Sequence, residues 1–412
     1  MRFDIFFSIC QTEVDGFIPS EKVMWRNFFS QAELADSLGF GTAWIAETHL
    51  SCQIQKRNPG AVIPNFTGEI GLNTDVLQVA HKLFAKTKNL HIGSAIRNIL
   101  CNGGPMAHAE AIRTFLSLHG LEDGEKRLLD IGFASGRFPF SNIPYGIRPR
   151  NELEKRAWPV LRGQVFLEAT EIFLRFLRGD VFASRDVAPK ILSRDQFRSD
   201  SDWASVVQAW QTLAERTGEP TEIEIPSFWT FDDVGVIPFE APMNLLRLTI
   251  GAHDAASQDF ANRFWPVGVF NLSITPGAVI EETHQRMQKT FHTKGGWTRQ
   301  HMPRTVLVFI DDGAALSGDE KRRRAGEAAR RALGTYWKAI EGTLDPRKIE
   351  GAVDNALVGS PEDIIEQIKT RFNPDDRLML WFDFNNHDNE SVKRSMRTFM
   401  EKVAPHFSGG LK

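Results

Sequence analysis

The stretch Gly39-Phe40-Gly41-Thr42-Ala43-Trp44-Ile45-Ala46-Glu47-Thr48-His49-Leu50 passes from a turn through a strand-length apolar run straight into a carboxylate, a hydroxyl and an imidazole. A buried strand that ends in titratable groups has the form of the carboxyl rim of a parallel barrel, where such folds carry their catalytic side chains. Taken alone, Glu47 reads as a structural carboxylate at a strand end and His49 as a satisfied core histidine. The surrounding chain decides whether they are more than that.

Upstream, Arg2 to Ile9 is a β-rich apolar run, and Pro19-Ser20 offers Ser20 as a helix N-cap. Val23, Met24, Phe28, Ala32, Ala35 and Leu38 then recur at helical spacing up to Gly39, a suitable C-terminal cap. Strand, helix, strand is the opening order, with Thr42 to Ala46 as the second strand. A long loop rich in Pro, Gly and Asn follows (Ser51 to Leu72), then a helical segment from Thr74 to Lys86 and a third strand, Leu90 to Ile96. A helix from about Met106 to His119 leads to a fourth strand, Leu128 to Phe133, and the next helix runs from about Asn151 to Leu177. Between Gly179 and Ala241 the rhythm breaks, with a helix predicted over Trp203 to Thr217 and a segment rich in Phe, Phe228-Trp229-Thr230-Phe231-Asp232-Asp233-Val234. Strands are predicted again at Leu246 to Gly251, Val267 to Ile274, Arg304 to Ile310 and Leu378 to Phe384, each with a helical pattern after it, the last reaching Phe407. Eight strands alternating with helices through right-handed crossovers close most economically into a (β/α)8 TIM barrel. The expectation is one α/β domain over residues 1–412, with an inserted segment at about 179–241 between strands four and five. A doubly wound open sheet is the alternative; no Gly-x-Gly-x-x-Gly fingerprint follows the first strand to support its dinucleotide-binding version.

Composition narrows the class. With 42% hydrophobic and 25% charged residues, the 412-residue chain has ample material for a large core. A formal charge of -3 without a dense basic stripe argues against nucleic acid as a partner. The one basic run, Lys321-Arg322-Arg323-Arg324, reads as a solvated helix face. Cys10, Cys52 and Cys101 form neither an even framework nor a metal-ligand spacing, which suits a reducing compartment. No run approaches the roughly 18 apolar residues of a membrane span, and charge falls within Met1-Arg2-Phe3-Asp4-Ile5, where a signal core would be apolar. A cytoplasmic location is expected.

The strand ends supply the candidate site. Glu47, Thr48 and His49 come from strand two, Ser94-Ala95-Ile96-Arg97-Asn98 from strand three, and Ala134-Ser135-Gly136-Arg137 from strand four. After strand five, Gly251-Ala252-His253-Asp254-Ala255-Ala256-Ser257 opens a helix with small residues, and free N–H groups at a helix start favour a phosphate. A simple strand-to-helix turn with Asp254 as N-cap explains the same residues. No HxxxH or CxxC spacing supports a catalytic metal.

Four stretches, in this order and at these separations, resemble the bacterial luciferase-like, flavin-dependent monooxygenase family. They are Phe40 to Leu50; Leu90 to Ala95 with Gly104-Pro105 beyond it; Phe228 to Pro242, where Phe231-Asp232-Asp233-Val234 precedes Pro238 and Pro242; and Leu357-Val358-Gly359-Ser360-Pro361-Glu362. The resemblance implies a barrel that holds FMN, or in related members a deazaflavin, over the carboxyl ends of its strands. The ring would lie across Ser94, Ala95 and Ile96, where the family often has a bulge with a non-proline cis bond. The phosphate would sit against Ala134, Ser135, Gly136 and Arg137 and against Gly251, Asp254, Ala255, Ala256 and Ser257. Reduced FMN, delivered by a separate flavin reductase, would react with dioxygen to a flavin C4a-peroxide that oxygenates an organic, largely apolar substrate. A deazaflavin-dependent oxidoreductase and a non-catalytic flavin-binding or partner subunit are the rivals. A homodimer, or a heterodimer with a paralogue, is the expected assembly.

Three departures qualify the resemblance. Luciferases commonly read Glu-His-His where this chain reads Glu47-Thr48-His49, which speaks against light emission and leaves His49 and Glu47, with Thr48, as the catalytic candidates. A hydroxyl residue is common where Asp254 stands, and a carboxylate beside a phosphate is repulsive unless it points away. The stretch corresponding to the family's mobile lid, Gly342 to Ala356, is short, so the long insertion is expected to exclude water instead. The abundance of Phe, 31 against 2 Tyr, with clusters at Phe133-Phe138-Phe140 and Phe228-Trp229-Phe231, suits an apolar substrate cavity, and core packing explains many of these residues equally well.

Overall fold

The first four strands are largely apolar because both of their faces are covered, as parallel strands require, and polar residues within them (Asp4, Ser94, Arg97 and Asp130) are buried. β1 (Arg2–Phe7), β2 (Thr42–Ile45), β3 (His91–Asn98) and β4 (Leu129–Ala134) lie side by side, and all four residues of β2 are buried. This is a computed structural model, and it describes residues 1–50, 57, 65, 67–69, 71–136, 139–215, 217–313, 315–340 and 355–407. Between β1 and β2, Ser20 caps the helix Glu21–Leu38 by accepting the Val23 amide, and Gly39 ends it in the left-handed region at φ 83°. Both caps stand where the sequence predicts them.

Later strands extend the sheet on both sides. β5 (Lys190–Ser193) and β6 (Glu222–Ile225) form a separate antiparallel ribbon. β7 (Leu246–Ile250), β8 (Val267–Val269), β9 (Arg304–Ile310), β10 (Leu357–Gly359) and β11 (Arg377–Trp381) complete a nine-stranded parallel sheet in the order β10-β9-β11-β1-β2-β3-β4-β7-β8. The sheet is curled, and a parallel bridge between Asn271, just beyond β8, and Arg304 of β9 links its two sides. There Asn271 donates to Pro303 O at 2.9 Å and accepts from the Thr305 amide at 3.0 Å.

Several predicted boundaries are corrected. Nine strands, not eight, make up the sheet, because Leu357–Gly359 pairs with the carboxyl half of β9. The sixth predicted strand stops at Val269 rather than Ile274, since the chain turns between Leu272 and Thr275, with the Thr275 amide donating to Leu272 O at 3.0 Å. The first stops at Phe7, and Ile9 adopts φ 47°. The β5–β6 ribbon was legible only as the alternation Glu222-Ile223-Glu224-Ile225, whose isoleucines are buried and whose glutamates are exposed. It flanks the helix Asp200–Ala214.

Two buried clusters hold this architecture. Arg113, 2% exposed on the helix Gly104–His119, donates to Leu177 O and Pro238 O at 2.7 Å and to Phe239 O at 2.8 Å, pinning the 179–241 region to the sheet's covering helices. At the amino ends of the strands, Arg377 donates to Asp4 at 2.6 Å and to Asp130 at 3.1 Å, while Arg247 reaches Asp130 through two bonds of 2.7 and 2.6 Å. The Thr42 amide and the Trp44 indole donate to Asp4 at 2.9 and 2.8 Å, and Arg2 Nε does so at 3.3 Å. Flanking guanidinia hold the Asp130 carboxyl well below the usual range against the burial that would raise it. Paired and fully hydrogen-bonded in this way, the charges seal the interior opposite the carboxyl rim.

Candidate active site

At the carboxyl rim, β3 breaks its regular pairing with β4 between Ser94 and Arg97, and the Ala95–Ile96 peptide is cis. The expected bulge is therefore present. Glycines make room for it on the neighbouring strands: a Cβ at Gly132 would stand 2.5 Å from Ser94 O, and one at Gly251 would stand 2.6 Å from Ile96 Cδ1 and 3.3 Å from Ala134 Cβ. Ile96, Ala134 and Gly251, all predicted to bind the cofactor, thus converge. Ala46, Ala95, Ile96, Leu272 and Trp381 stay partly exposed while packing on the buried Phe6, Trp44, Phe270 and Met379, which gives the rim an apolar floor. Within it the buried hydroxyls of Ser94 and Thr249 have no hydrogen-bond partner among the described residues. An apolar floor with unspent hydroxyls fits the ring of a flavin, which is flat, mostly apolar and edged with acceptors.

Strand two delivers its titratable groups differently from a free catalytic triad. Glu47 is buried, and its Oε2 accepts from the Val76 amide at 2.8 Å and from Arg97 Nη1 at 3.2 Å, while Oε1 lies 3.3 Å from His49 Nε2. Glu47 therefore anchors the start of the helix Val76–Phe84, whose N-cap Asp75 shares Arg97 Nη1 at 3.3 Å. Thr48 is spent locally, its hydroxyl 3.4 Å from Gly71 O. His49 is buried beside Glu47, and Glu47 is the one partner of its ring among the described residues.

Arg97 and His108 complete this cluster; Arg97 stands in the strand-three stretch expected to supply the site, without a role assigned to it there, and His108 was not singled out from sequence. Arg97, 2% exposed, also donates through Nε to His108 Nδ1 at 2.7 Å, and His108 Nε2 donates to Cys101 O at 3.0 Å. Burial first, and Arg97 second, push His108 down to about 3. The signal was an arginine inside an otherwise apolar strand, which cannot stay buried without carboxylates.

The third group is the proposed phosphate region. Ser135 O accepts from Asn142 Nδ2 at 3.0 Å, and Asn142 Oδ1 accepts from Asn98 Nδ2 at 2.7 Å, so the ends of β3 and β4 are tied together there. Gly136 takes φ 80° against the Asn98 amide. Arg137 lies outside the described residues, as does most of the Gly342 to Ala356 stretch. Asp254 caps the short helix Ala255–Ala261 by accepting the Ser257 amide at 2.7 Å. The carboxylate thus occupies one of the amides a phosphate would use, and the amides of Ala255 and Ala256 remain. Ser257 is itself buried. Among the described residues no cluster of three His, Cys, Asp or Glu side chains could hold a metal ion, and no helix is long and apolar enough to cross a membrane.

Comparison with known proteins agrees with this geometry. The family model described as luciferase-like monooxygenase matches residues 1–185. No curated protein sequence matches the chain. Among solved structures, the monooxygenase RslO1 from Streptomyces bottropensis is similar at 20% identity and a TM-score of 0.64, over 99% of this chain and 100% of its own. The oxygenating constituent of 3,6-diketocamphane monooxygenase from Pseudomonas putida, a type II Baeyer-Villiger enzyme in complex with FMN, aligns at 15% identity and a TM-score of 0.58, over 98% of each chain. An F420-dependent secondary alcohol dehydrogenase aligns at 13% identity and a TM-score of 0.53, again over 98% of each. At these identities the structures speak for the fold. The luciferase-like monooxygenase model thus accounts for residues 1–185, and the whole chain shares the fold of those structures.

Proposed function

We propose that this chain is the oxygenating component of a two-component flavin monooxygenase, taking reduced FMN from a separate reductase and oxygenating an organic, largely apolar substrate. The observation that carries the reading is the apolar floor at the carboxyl rim, built around the Ala95–Ile96 bulge and backed by Gly132 and Gly251. When bound, reduced FMN supplies the electrons that activate dioxygen, and the protein supplies position and dryness. Ser94, Ala95 and Ile96 support the ring, with Ala134 and Gly251 beside them. Ser135, Gly136 and the amides of Ala255 and Ala256 hold the phosphate, and Asp254 weakens that hold. Glu47 and Arg97 fix the backbone that presents His49, the candidate proton donor.

Water exclusion falls to the inserted 179–241 segment of a single domain. Its support is Trp229, whose Nε1 lies 2.7 Å from where a Gly104 Cβ would be, so the segment reaches the start of the helix that follows β3. A cytoplasmic homodimer, or a heterodimer with a paralogue, completes the reading.

Anaerobic equilibrium dialysis against reduced FMN and against a reduced deazaflavin tests it. Tighter retention of FMN, followed by incorporation of labelled dioxygen into an apolar substrate, is the expected result. Preference for the deazaflavin without oxygen uptake would transfer the chain to hydride transfer, and retention of FMN without oxygen uptake would make it a passive binder.

A further inference from the structure

At the amino ends of β7 and β8, the end of the strands opposite the carboxyl rim, a cavity of about 280 Å3 opens between the strands and the segment before β9. Its position follows from its lining: Leu246 begins β7, Pro266 immediately precedes β8, and His301 stands three residues before β9. The volume is just under the roughly 300 Å3 at which ligand pockets commonly start, which suits a small ligand. Phe264, Trp265, Pro266 and Leu248 give it apolar walls.

The polar lining is cationic or donating throughout: Arg178, Arg247, His292, Lys294 and His301, with no carboxylate. Arg178, Arg247, His292 and Lys294 each keep a donor unspent among the described residues. Arg178 uses Nε and Nη2 on Asp180, and Arg247 uses Nε and Nη2 on Asp130, leaving Nη1 of both. His292 Nδ1 accepts the Lys294 amide at 3.1 Å, so its neutral ring carries the proton on Nε2, while His301 Nδ1 lies 3.2 Å from both the amide and the carbonyl oxygen of Thr298. Burial, with Lys294 and Arg178 beside one ring and Arg247 and Arg377 beside the other, keeps both imidazoles below their ordinary pKa. The Lys294 ammonium has no carboxylate partner among the described residues.

The wider charge balance has the same sign. The network behind the cavity sets three guanidinia, Arg2, Arg247 and Arg377, against only two carboxylates, Asp4 and Asp130. A partly enclosed site with surplus positive charge, several unspent donors and apolar walls is complementary to an anionic head on an apolar body.

We propose that this cavity binds a small organic anion, a carboxylate or phosphate carried on an apolar group, with the head at Lys294 and the free N–H groups of Arg178, Arg247 and His292, and the body against Phe264 and Trp265. The site is separate from the flavin rim and does not depend on the function proposed for it.

Calorimetric titration of the full chain with benzoate, phenyl phosphate and the neutral benzyl alcohol tests the proposal. Saturable binding of at least one of the two anions, about tenfold or more tighter than benzyl alcohol, is expected, and the tighter anion identifies the head group. Lys294→Glu, at an exposed position, should weaken that binding about tenfold, roughly 1.4 kcal/mol, at an unchanged melting temperature. Prior saturation with FMN should leave the affinity unchanged. Binding of benzyl alcohol equal to that of both anions, an unaltered affinity in Lys294→Glu, or displacement by FMN would each overturn it.

Discussion

Arg97 Nε donates to His108 Nδ1 across 2.7 Å, and this one bond fixes the protonation of the imidazole. Since Arg97 has no lone pair to offer, Nδ1 must be the acceptor and Nε2 must carry the proton, which it gives to Cys101 O at 3.0 Å. The same guanidinium reaches Glu47 and Asp75, so one buried cation joins the end of β2, the helix start after it and the helix after β3. A charged His108 would place two cations side by side in the core.

Stability should therefore depend on pH through His108. Its pKa falls from 6.5 to about 3 on folding, so between these values the unfolded chain binds a proton that the folded chain refuses. The contribution is complete above the unfolded value and is lost as pH falls below it. At pH 5 the loss amounts to about 2 kcal/mol. His91, lowered to about 4 chiefly by burial, acts in the same direction, so the effect of His108 must be isolated by substitution. Urea unfolding at pH 7 and pH 5 should show a smaller loss for His108→Asn, which keeps an acceptor for Arg97, than for the parent. Equal losses would mean that His108 is charged in the fold.

Arg377→Met should be among the most destabilising single changes. It leaves Asp4 and Asp130 without their shared buried cation, and breaking a buried pair from one side costs roughly 3–5 kcal/mol. Arg247 still serves Asp130, but Asp4 keeps only the Thr42 amide, the Trp44 indole and the more distant Arg2 at 3.3 Å. Denaturant midpoints measure the difference, and a loss below about 1 kcal/mol would show that water replaces the guanidinium.

What the sequence disclosed and what it concealed divide along physical lines. Strands such as Thr42 to Ile45 were legible because burial on both faces imposes an unbroken apolar run. The caps at Ser20 and Gly39 were legible because capping is local chemistry. Leu357–Gly359 was not, since a three-residue strand is defined by its partner β9 and not by its own residues. The roles of Glu47 and His108 were concealed for the same reason: each depends on Arg97, fifty and eleven positions away in the chain. Residue types at the rim could be listed from strand ends, but which of them are already engaged is a property of the folded contacts.

Asp254 is the sharpest case of such engagement. Its carboxylate holds the Ser257 amide at 2.7 Å, which a bound phosphate would have to share with a like charge nearby. Asp254→Ser keeps a side-chain oxygen for the cap, changing stability by about 1 kcal/mol or less, and removes the charge. FMN affinity, read by fluorescence titration, should rise several-fold. Ala256→Glu is the converse, adding a carboxylate to the helix start, and should abolish FMN retention at an unchanged melting temperature. If both variants bind within a factor of two of the parent, the phosphate lies elsewhere.

His49 decides between an oxygenase and a passive binder. It follows the apolar run Trp44-Ile45-Ala46, is buried, and has only Glu47 Oε1, at 3.3 Å, as a ring partner among the described residues. Glu47 in turn is held by the Val76 amide and Arg97, so the carboxylate is fixed and can orient the imidazole without being free to move toward a substrate. A proton donor positioned this way is worth about 10²–10⁴-fold in rate. Thr48 cannot take its place, since a hydroxyl does not titrate near neutrality and this one leans on Gly71 O. His49→Ala should therefore keep FMN affinity near that of the parent while product formation falls by about a hundredfold or more and oxygen is diverted to free hydrogen peroxide. Should His49 serve packing alone, the variant would melt earlier and its remaining activity would follow the folded fraction, with product still matched to oxygen consumed. Melting temperature and the ratio of product to oxygen, measured on the same preparation, separate the two, and full coupling in His49→Ala removes the imidazole from the chemistry.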